Sequence, residues 1–250
     1  MRRLDIPLEI LYELAMSIGN STDLEENLQE ALSAYLQKLH CFAGAVFAVA
    51  PEKHPEPAVL VKSIPRTSTI HRNEGYRAAM AYPGWSAGGL PSKGSAGLDY
   101  YYHWFDLPEY GWLLLIRTHQ PLSNGLQNAL LDINNKLAVS ARACRATAAH
   151  LHESRHLLRT VLDTIPARVF WKDRELRYLG CNTAFAGDKG LASAADLVGR
   201  DDRSLPRTRH SEAYRADDLR VIETGEPMRN QEELQTRPDG SERWLRTSKI

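Results

Sequence analysis

From Ser123 to Ile165 the chain passes without a proline and with one glycine, Gly125. Within that stretch Leu130, Leu137, Cys144, Leu151, Leu158 and Ile165 recur at intervals of seven. Asn134, Ala141, Ala148, Arg155 and Leu162 follow the first five of them by four residues, completing a heptad seam with mostly apolar d positions and small or polar a positions. At about 1.5 Å per residue the spacing predicts a helical rod of roughly 60 Å, longer than one surface helix of a globular domain requires. The expected structure is a parallel two-stranded coiled coil between two copies of the chain. Its seam would run through Leu130, Leu137, Ala141, Cys144, Ala148, Leu151, Leu158 and Leu162, with Asn134 and Arg155 weakening it while fixing register and strand number. The alternative is one amphipathic helix that packs on its own domain and then becomes a linker. Pro166 ends the helix in either case.

Ahead of the rod, Leu8, Leu11, Leu14, Ala15 and Ile18 share one face of a predicted helix. Thr22 to Glu25 fits a capping box, and a second amphipathic helix with Leu24, Leu28, Leu32, Tyr35, Leu36 and Leu39 on its inner face follows. Cys41–Val49 reads as a buried strand, 51–57 as a turn and Ala58–Lys62 as a return strand. Residues 64–98 read as irregular, with the glycine-rich stretch Gly88–Gly97 as a long loop of the kind that often covers a site. Leu98–Leu107 and Gly111–Thr118, rich in Tyr, Trp and Leu, predict a hairpin.

Beyond Pro166 the pattern shortens. Arg168–Lys172 and Arg177–Asn182 predict two strands around the turn Asp173-Arg174-Glu175. Thr183–Ala186 opens a short helix, Ala192–Gly199 another, and Glu212–Thr224 a longer one closed by Gly225. Arg229–Thr236 and Glu242–Lys249 predict a hairpin turning at Pro238-Asp239-Gly240.

Composition removes several classes of function. Lys+Arg and Asp+Glu number 31 each in 250 residues, so there is no basic excess of the kind that draws nucleic acid at long range. The longest uncharged apolar run, Cys41–Ala50, is half of the ~20 residues that a membrane-spanning helix needs. Asp5 and Glu9 lie where a signal peptide requires an apolar core. The three cysteines are widely spaced, the usage of a reduced cytoplasmic protein.

The second half resembles a PAS domain. Thr164-Ile165-Pro166, Val169–Asp173 and Tyr178–Ala186 look like its opening strands and helix. Val198–Asp202 and Tyr214–Asp218 look like its middle helices, and Asp239–Leu245 like its hairpin. The family's closing strand is expected after Ile250, which implies a larger parent protein with an output domain downstream. The first half is similar to a GAF domain in its order of helix, strands, variable loop, aromatic hairpin and exit helix. Cyclic-nucleotide GAF domains carry an Asn-Lys pair near their pocket; here Asn135-Lys136 lies on the exit helix. The fold class expected is therefore α+β, with a GAF-like domain over 1–122, a coiled-coil signalling helix over 123–165 and a PAS domain over 166–250, each domain an antiparallel sheet with flanking helices.

The resemblance implies the sensory and dimerisation region of a bacterial signalling protein, expected to be the input of a sensor histidine kinase in a two-component system. An input region for a cyclic di-GMP cyclase or phosphodiesterase is the alternative. The implied pocket residues are Phe170, Trp171, Tyr178, Cys181 and Asn182 in the second half and Trp104 and Trp112 in the first, facing a small-molecule ligand that no motif names. The cofactor is likewise unnamed: Cys181-Asn182 reverses the order a flavin-cysteine photosensor needs, and His210, flanked by Arg207, Arg209 and Glu212, reads as exposed rather than haem-ligating. His152-Glu153-Ser154-Arg155-His156 matches the zinc-hydrolase signature His-Glu-x-x-His. Arg155 beside the proposed dication, the unbroken heptad and the lack of an evident third ligand favour a solvated helix face instead.

Overall fold

The computed structural model describes residues 8–49, 58–81, 94–95, 100–118, 120–205, 211–236 and 240–250, in two units, Met1–Leu151 and His152–Ile250. Gly88–Gly97 except Gly94-Ser95, His210 and Pro238-Asp239 fall outside the described residues.

The first unit opens with α1 (Leu8–Met16) and α2 (Leu24–Lys38). The cap of α2 is Asp23 rather than Thr22: its carboxylate accepts the Glu26 backbone N–H at 3.0 Å. Ser21 holds the turn at that point, accepting the Asp23 N–H and donating its hydroxyl to Glu26 Oε2 at 2.7 Å. Next come β1 (Ala43–Ala48), β2 (Val59–Ile64), α3 (Thr67–Ile70), α4 (Glu74–Met80), β3 (Gly94–Ser95), β4 (Tyr100–Leu107) and β5 (Gly111–Thr118). Short helices α3 and α4 thus occupy part of the stretch expected to be irregular.

These strands form one antiparallel sheet in the order β2-β1-β5-β4-β3. Side chains alternate between its faces, and both faces are covered. Val46, Phe105, Leu107, Leu113 and Leu115 meet the long helices, while Phe47, Tyr102, Trp104, Leu114 and Ile116 pack with Ile70, Tyr76 and Ala79. Cover on both sides explains why β5 reads as continuously apolar rather than alternating. Gly111 is required by the close approach of β1: a Cβ there would lie 2.0 Å from the Phe47 carbonyl oxygen.

Ser123 caps α5 (Asn124–Ala129), and after an interruption at Leu130 the long α6 runs from Leu131 to Thr164. Here the seam expectation needs correction. Leu130, Leu137 and Ala141 are buried in the first unit's own core with Leu14, Leu28 and Leu32, and Cys144 is buried as well. Asn134, expected to fix the register of a dimer, is partnered within the unit, its Oδ1 accepting the Tyr35 hydroxyl at 2.6 Å. The cause is the sheet: its face toward α1 and α2 needs a third helix to exclude water, and the first turns of α6 supply it. Further along, Ala148, Leu151 and Leu158 are exposed and Leu162 is half-buried.

The second unit contains the rest of α6, then β6 (Phe170–Lys172), β7 (Tyr178–Cys181), α7 (Thr183–Asp188), single 3-10 turns at Ala194–Leu197 and Asp202–Ser204, α8 (Ser211–Thr224), β8 (Met228–Thr236) and β9 (Glu242–Lys249). β6 pairs with β7 and β8 with β9, both antiparallel. Tyr178, Cys181, Phe185, Ala186, Leu197 and Leu205 form its apolar core. Both units are therefore α+β with antiparallel sheets. Among the described residues no helix is long and apolar enough to cross a membrane.

The two faces of α6 should respond differently to truncation. Leu137→Ala is expected to lower stability by about 2–5 kcal/mol through the cavity it leaves, whereas Val139→Ala on the exposed face should change it by about 0.5 kcal/mol or less. Urea unfolding followed by circular dichroism measures both.

Candidate functional site

The last turn of α6 leaves carbonyls without helical partners, and Asn182 takes one of them. Its amide donates to Leu162 O at 2.9 Å and Ala167 O at 2.7 Å. Its Oδ1 accepts the N–H groups of Val169 and Phe185, both at 3.1 Å. The second of these is the N-cap bond of α7. One turn of α6 also receives the opposite contact, since Asp163 Oδ1 accepts the Thr183 N–H at 2.7 Å. That bond, with one from the Thr183 side chain, holds the Asp163 carboxyl below the ordinary carboxylate range.

Strand alternation sends neighbouring residues of β6 to opposite faces. Phe170 turns inward to pack on Phe185 and Tyr178, with ring centroids 4.7 and 5.7 Å away. Trp171 lies across Gly180 on the outer face and is 42% exposed, so of the two expected pocket residues only Phe170 faces the interior. Tyr178, Cys181 and Asn182 are buried in the second unit. Trp104 and Trp112 belong to the first unit's cluster on the sheet face that carries Phe47, with Tyr76 of α4 packed on it.

Sequence reading missed the charged groups inside the second unit. Lys172 Nζ lies 2.5 Å from Asp202 Oδ2, 2.6 Å from Asp218 Oδ2 and 4.6 Å from the Tyr178 ring centre. The Tyr178 hydroxyl donates to Asp202 Oδ1 at 2.6 Å. Burial, and then the Asp202 charge, push the Tyr178 phenol far above its usual range. Lys249 Nζ meets Asp218 Oδ1 at 2.9 Å, Glu233 Oε1 at 3.5 Å and Asp217 Oδ2 at 3.7 Å, and donates to Tyr214 O at 3.0 Å. Tyr214 is pushed up to about 12 by burial, with Glu233 and Asp202 adding to it. Lys189 stands over the Phe185 and Tyr214 rings at 5.3 and 5.8 Å. Such a set of mutually neutralised groups is equipped to hold charge. One signal was legible: inward positions of β9 carry Arg243, Leu245, Thr247 and Lys249, whereas Trp244 points out and is 70% exposed.

Asp188 links three elements. Its Oδ2 receives Arg168 Nε at 2.7 Å and Arg243 Nη2, while Arg243 Nε donates to Gln235 Oε1 at 2.9 Å. Burial works to raise the Asp188 carboxyl, but the two guanidinium groups outweigh it and hold the carboxyl below its ordinary range. His152 and His156, by contrast, are exposed on α6. Among the described residues no group of three or more His, Cys, Asp or Glu side chains is placed to hold a metal ion.

The order of these elements, with the capping Asn182 and the closing β8–β9 hairpin, agrees with the comparison by sequence. Residues 162–250 match the PAS fold. No curated protein matches the chain. Among solved structures it is similar to Vibrio cholerae VqmA, described as a dimer, at 25% identity over 34% of this chain and 38% of that one, with a TM-score of 0.32. The chain thus spans well under half of VqmA. It is similar to the GAF domain of a phosphoenolpyruvate-protein phosphotransferase from Coxiella burnetii at 16% identity, over 57% of this chain and 96% of that one, with a TM-score of 0.40. It is also similar to the E. coli DhaR(N)–DhaL complex at 13% identity, over 99% of this chain and 85% of that one, with a TM-score of 0.36. Residues 162–250 thus form a PAS-like unit.

The depressed Asp188 carboxyl makes the PAS unit pH-sensitive in one direction. Its folded pKa lies below the unfolded value of about 3.9, so its contribution is complete above that pH and is lost as pH falls through the folded value. Asp188→Asn should destabilise the protein at neutral pH, and its gap from the parent should close between about pH 5 and pH 2. Urea midpoints measured across that range test this.

Proposed function

We propose that the chain is the sensory and dimerisation input region of a cytoplasmic signalling protein, with a histidine kinase as its output and α6 as the relay. PAS and GAF-like folds are folds of signal-transduction input modules, which supports the general role. The kinase comes from the family resemblance, and the location in the cytoplasm from the cysteine usage, the three thiols all being free.

One observation carries the relay. On the final turns of α6, Leu162 O and Asp163 are hydrogen-bonded to the junction of β7 and α7, while Leu158, Val161 and Ile165 remain exposed. A single helix end therefore contacts the PAS core on one side and offers an apolar stripe on the other. Leu151, Leu158 and Ile165 retain the interval of seven and are 51%, 60% and 38% exposed, which suits a helix from a second copy. The seam proposed is accordingly Ala148, Leu151, Leu158 and Leu162. A ligand that favours one arrangement of the PAS core shifts α6 between two packings, and the output domain reads the shift.

Light scattering tests the relay. The parent chain is expected to be dimeric at micromolar concentration, and Leu151→Asp with Leu158→Asp is expected to be monomeric with an unchanged circular dichroism spectrum. A parent that is monomeric, or a double variant that stays dimeric, overturns the reading.

A further inference from the structure

We infer that α8, β8 and β9 form one panel that opens and closes on the rest of the PAS unit as a body, with charged side chains as its catch. The inference goes beyond the sensory reading and does not depend on it.

The apolar core of the unit stops short of these elements. Its buried members, and the half-buried Phe170, Leu191 and Ala194 packed against them, all lie within residues 170–205. α8 has no buried residue: its Leu219 and Ile222 are exposed, whereas Asp218 is nearly out of water. Within the panel the parts are tied to one another. The Tyr214 hydroxyl of α8 donates to Leu234 O of β8 at 2.7 Å, and β8 shares a ladder with β9. Lys249 of β9 reaches Asp217, Asp218 and the Tyr214 carbonyl on α8 and Glu233 on β8.

Charge is what crosses from the panel to the rest. Lys172 of β6 meets Asp218 at 2.6 Å, and Asp188 of α7 meets Arg243. At the second 3-10 turn, Arg203 Nε lies 2.7 Å from Glu212 Oε1, and Asp201 Oδ2 lies 3.6 Å from Arg215 Nη1. Lys189 stands 5.8 Å from the Tyr214 ring centre. Apolar burial is the main cohesion between parts of a protein, and ion pairs taken out of water return little net stability, because desolvation offsets their attraction. A boundary made of the second without the first opens at a lower free energy than the core behind it. Asp188 carries the event toward α6. One of its oxygens receives both Arg243 of the panel and Arg168, just beyond the end of α6, so release of the panel leaves Asp188 to Arg168 alone.

Hydrogen exchange of the full chain, read by mass spectrometry of its peptides, tests the panel. The most protected amides of α8, β8 and β9 should share one protection factor, at least about tenfold below that of β7 and α7. Asp218→Asn weakens the catch on Lys172 and Lys249 and should lower protection in all three elements about ten- to a hundredfold, while β7 and α7 keep theirs. Arg243→Gln, which frees Asp188, should act in the same way. A side chain that stabilises the unit as a whole would lower protection in β7 and α7 equally. The inference is overturned if α8, β8 and β9 have unrelated protection factors, if they are as protected as β7 and α7, or if the variants lower protection in β7 and α7 by the same factor. Where a variant does not fold, the pattern in the parent chain decides alone.

Discussion

A helix ends with carbonyls that no later turn can bond, and the way this chain resolves that at Leu162 organises everything after it. Asn182 spends both amide hydrogens on carbonyls before β6 and its oxygen on two backbone N–H groups, so every one of its bonds fixes main chain. An aspartate there would lack the donors and a leucine would lack everything. Because the same residue caps α7, the end of α6, the entry to β6 and the start of α7 share one buried side chain. Displacing any of them leaves a buried polar group unsatisfied, at a cost of about 1–3 kcal/mol.

The two units solve the problem of an interior differently. The first is built on aliphatic and aromatic side chains over both faces of its sheet, with the Tyr35 hydroxyl donating to Asn134 inside it. The second has a small aromatic core, and beside it an assembly of lysines and acids nearly out of water. Pairs of that kind are weak sources of stability, because desolvation consumes most of the attraction; removing one member is nevertheless costly, since the other stays behind.

Much of the architecture was legible because periodicity reports burial. Aromatic and aliphatic content marked β4 and β5, a turn signal marked the β8–β9 hairpin, and the heptad marked α6. The heptad could not say what it packed against. Leu137 and Leu151 are identical in the pattern, yet one meets the first unit's core and the other meets solvent. A seven-residue apolar spacing serves a sheet face and a partner helix equally well, so only tertiary context separates them. The capping residue was missed by one position because Thr22 and Asp23 both have suitable oxygens and Ser21 decides between them. Lys172, Lys189 and Lys249 were passed over because lysine is ordinarily a surface residue. Their burial depends on acids that are distant in sequence, above all Asp202 and Asp218.

The outer side of β6 and β7 has a consequence for how this protein can vary. The Trp171 indole occupies the space where residue 180 would carry a side chain: a Cβ there would come within 2.3 Å of Cζ2. Even a methyl group would expel the ring, and a smaller residue at 171 would uncover bare strand backbone. Positions 171 and 180 therefore share one volume across the ladder, so that a side chain gained at 180 is a ring position lost at 171.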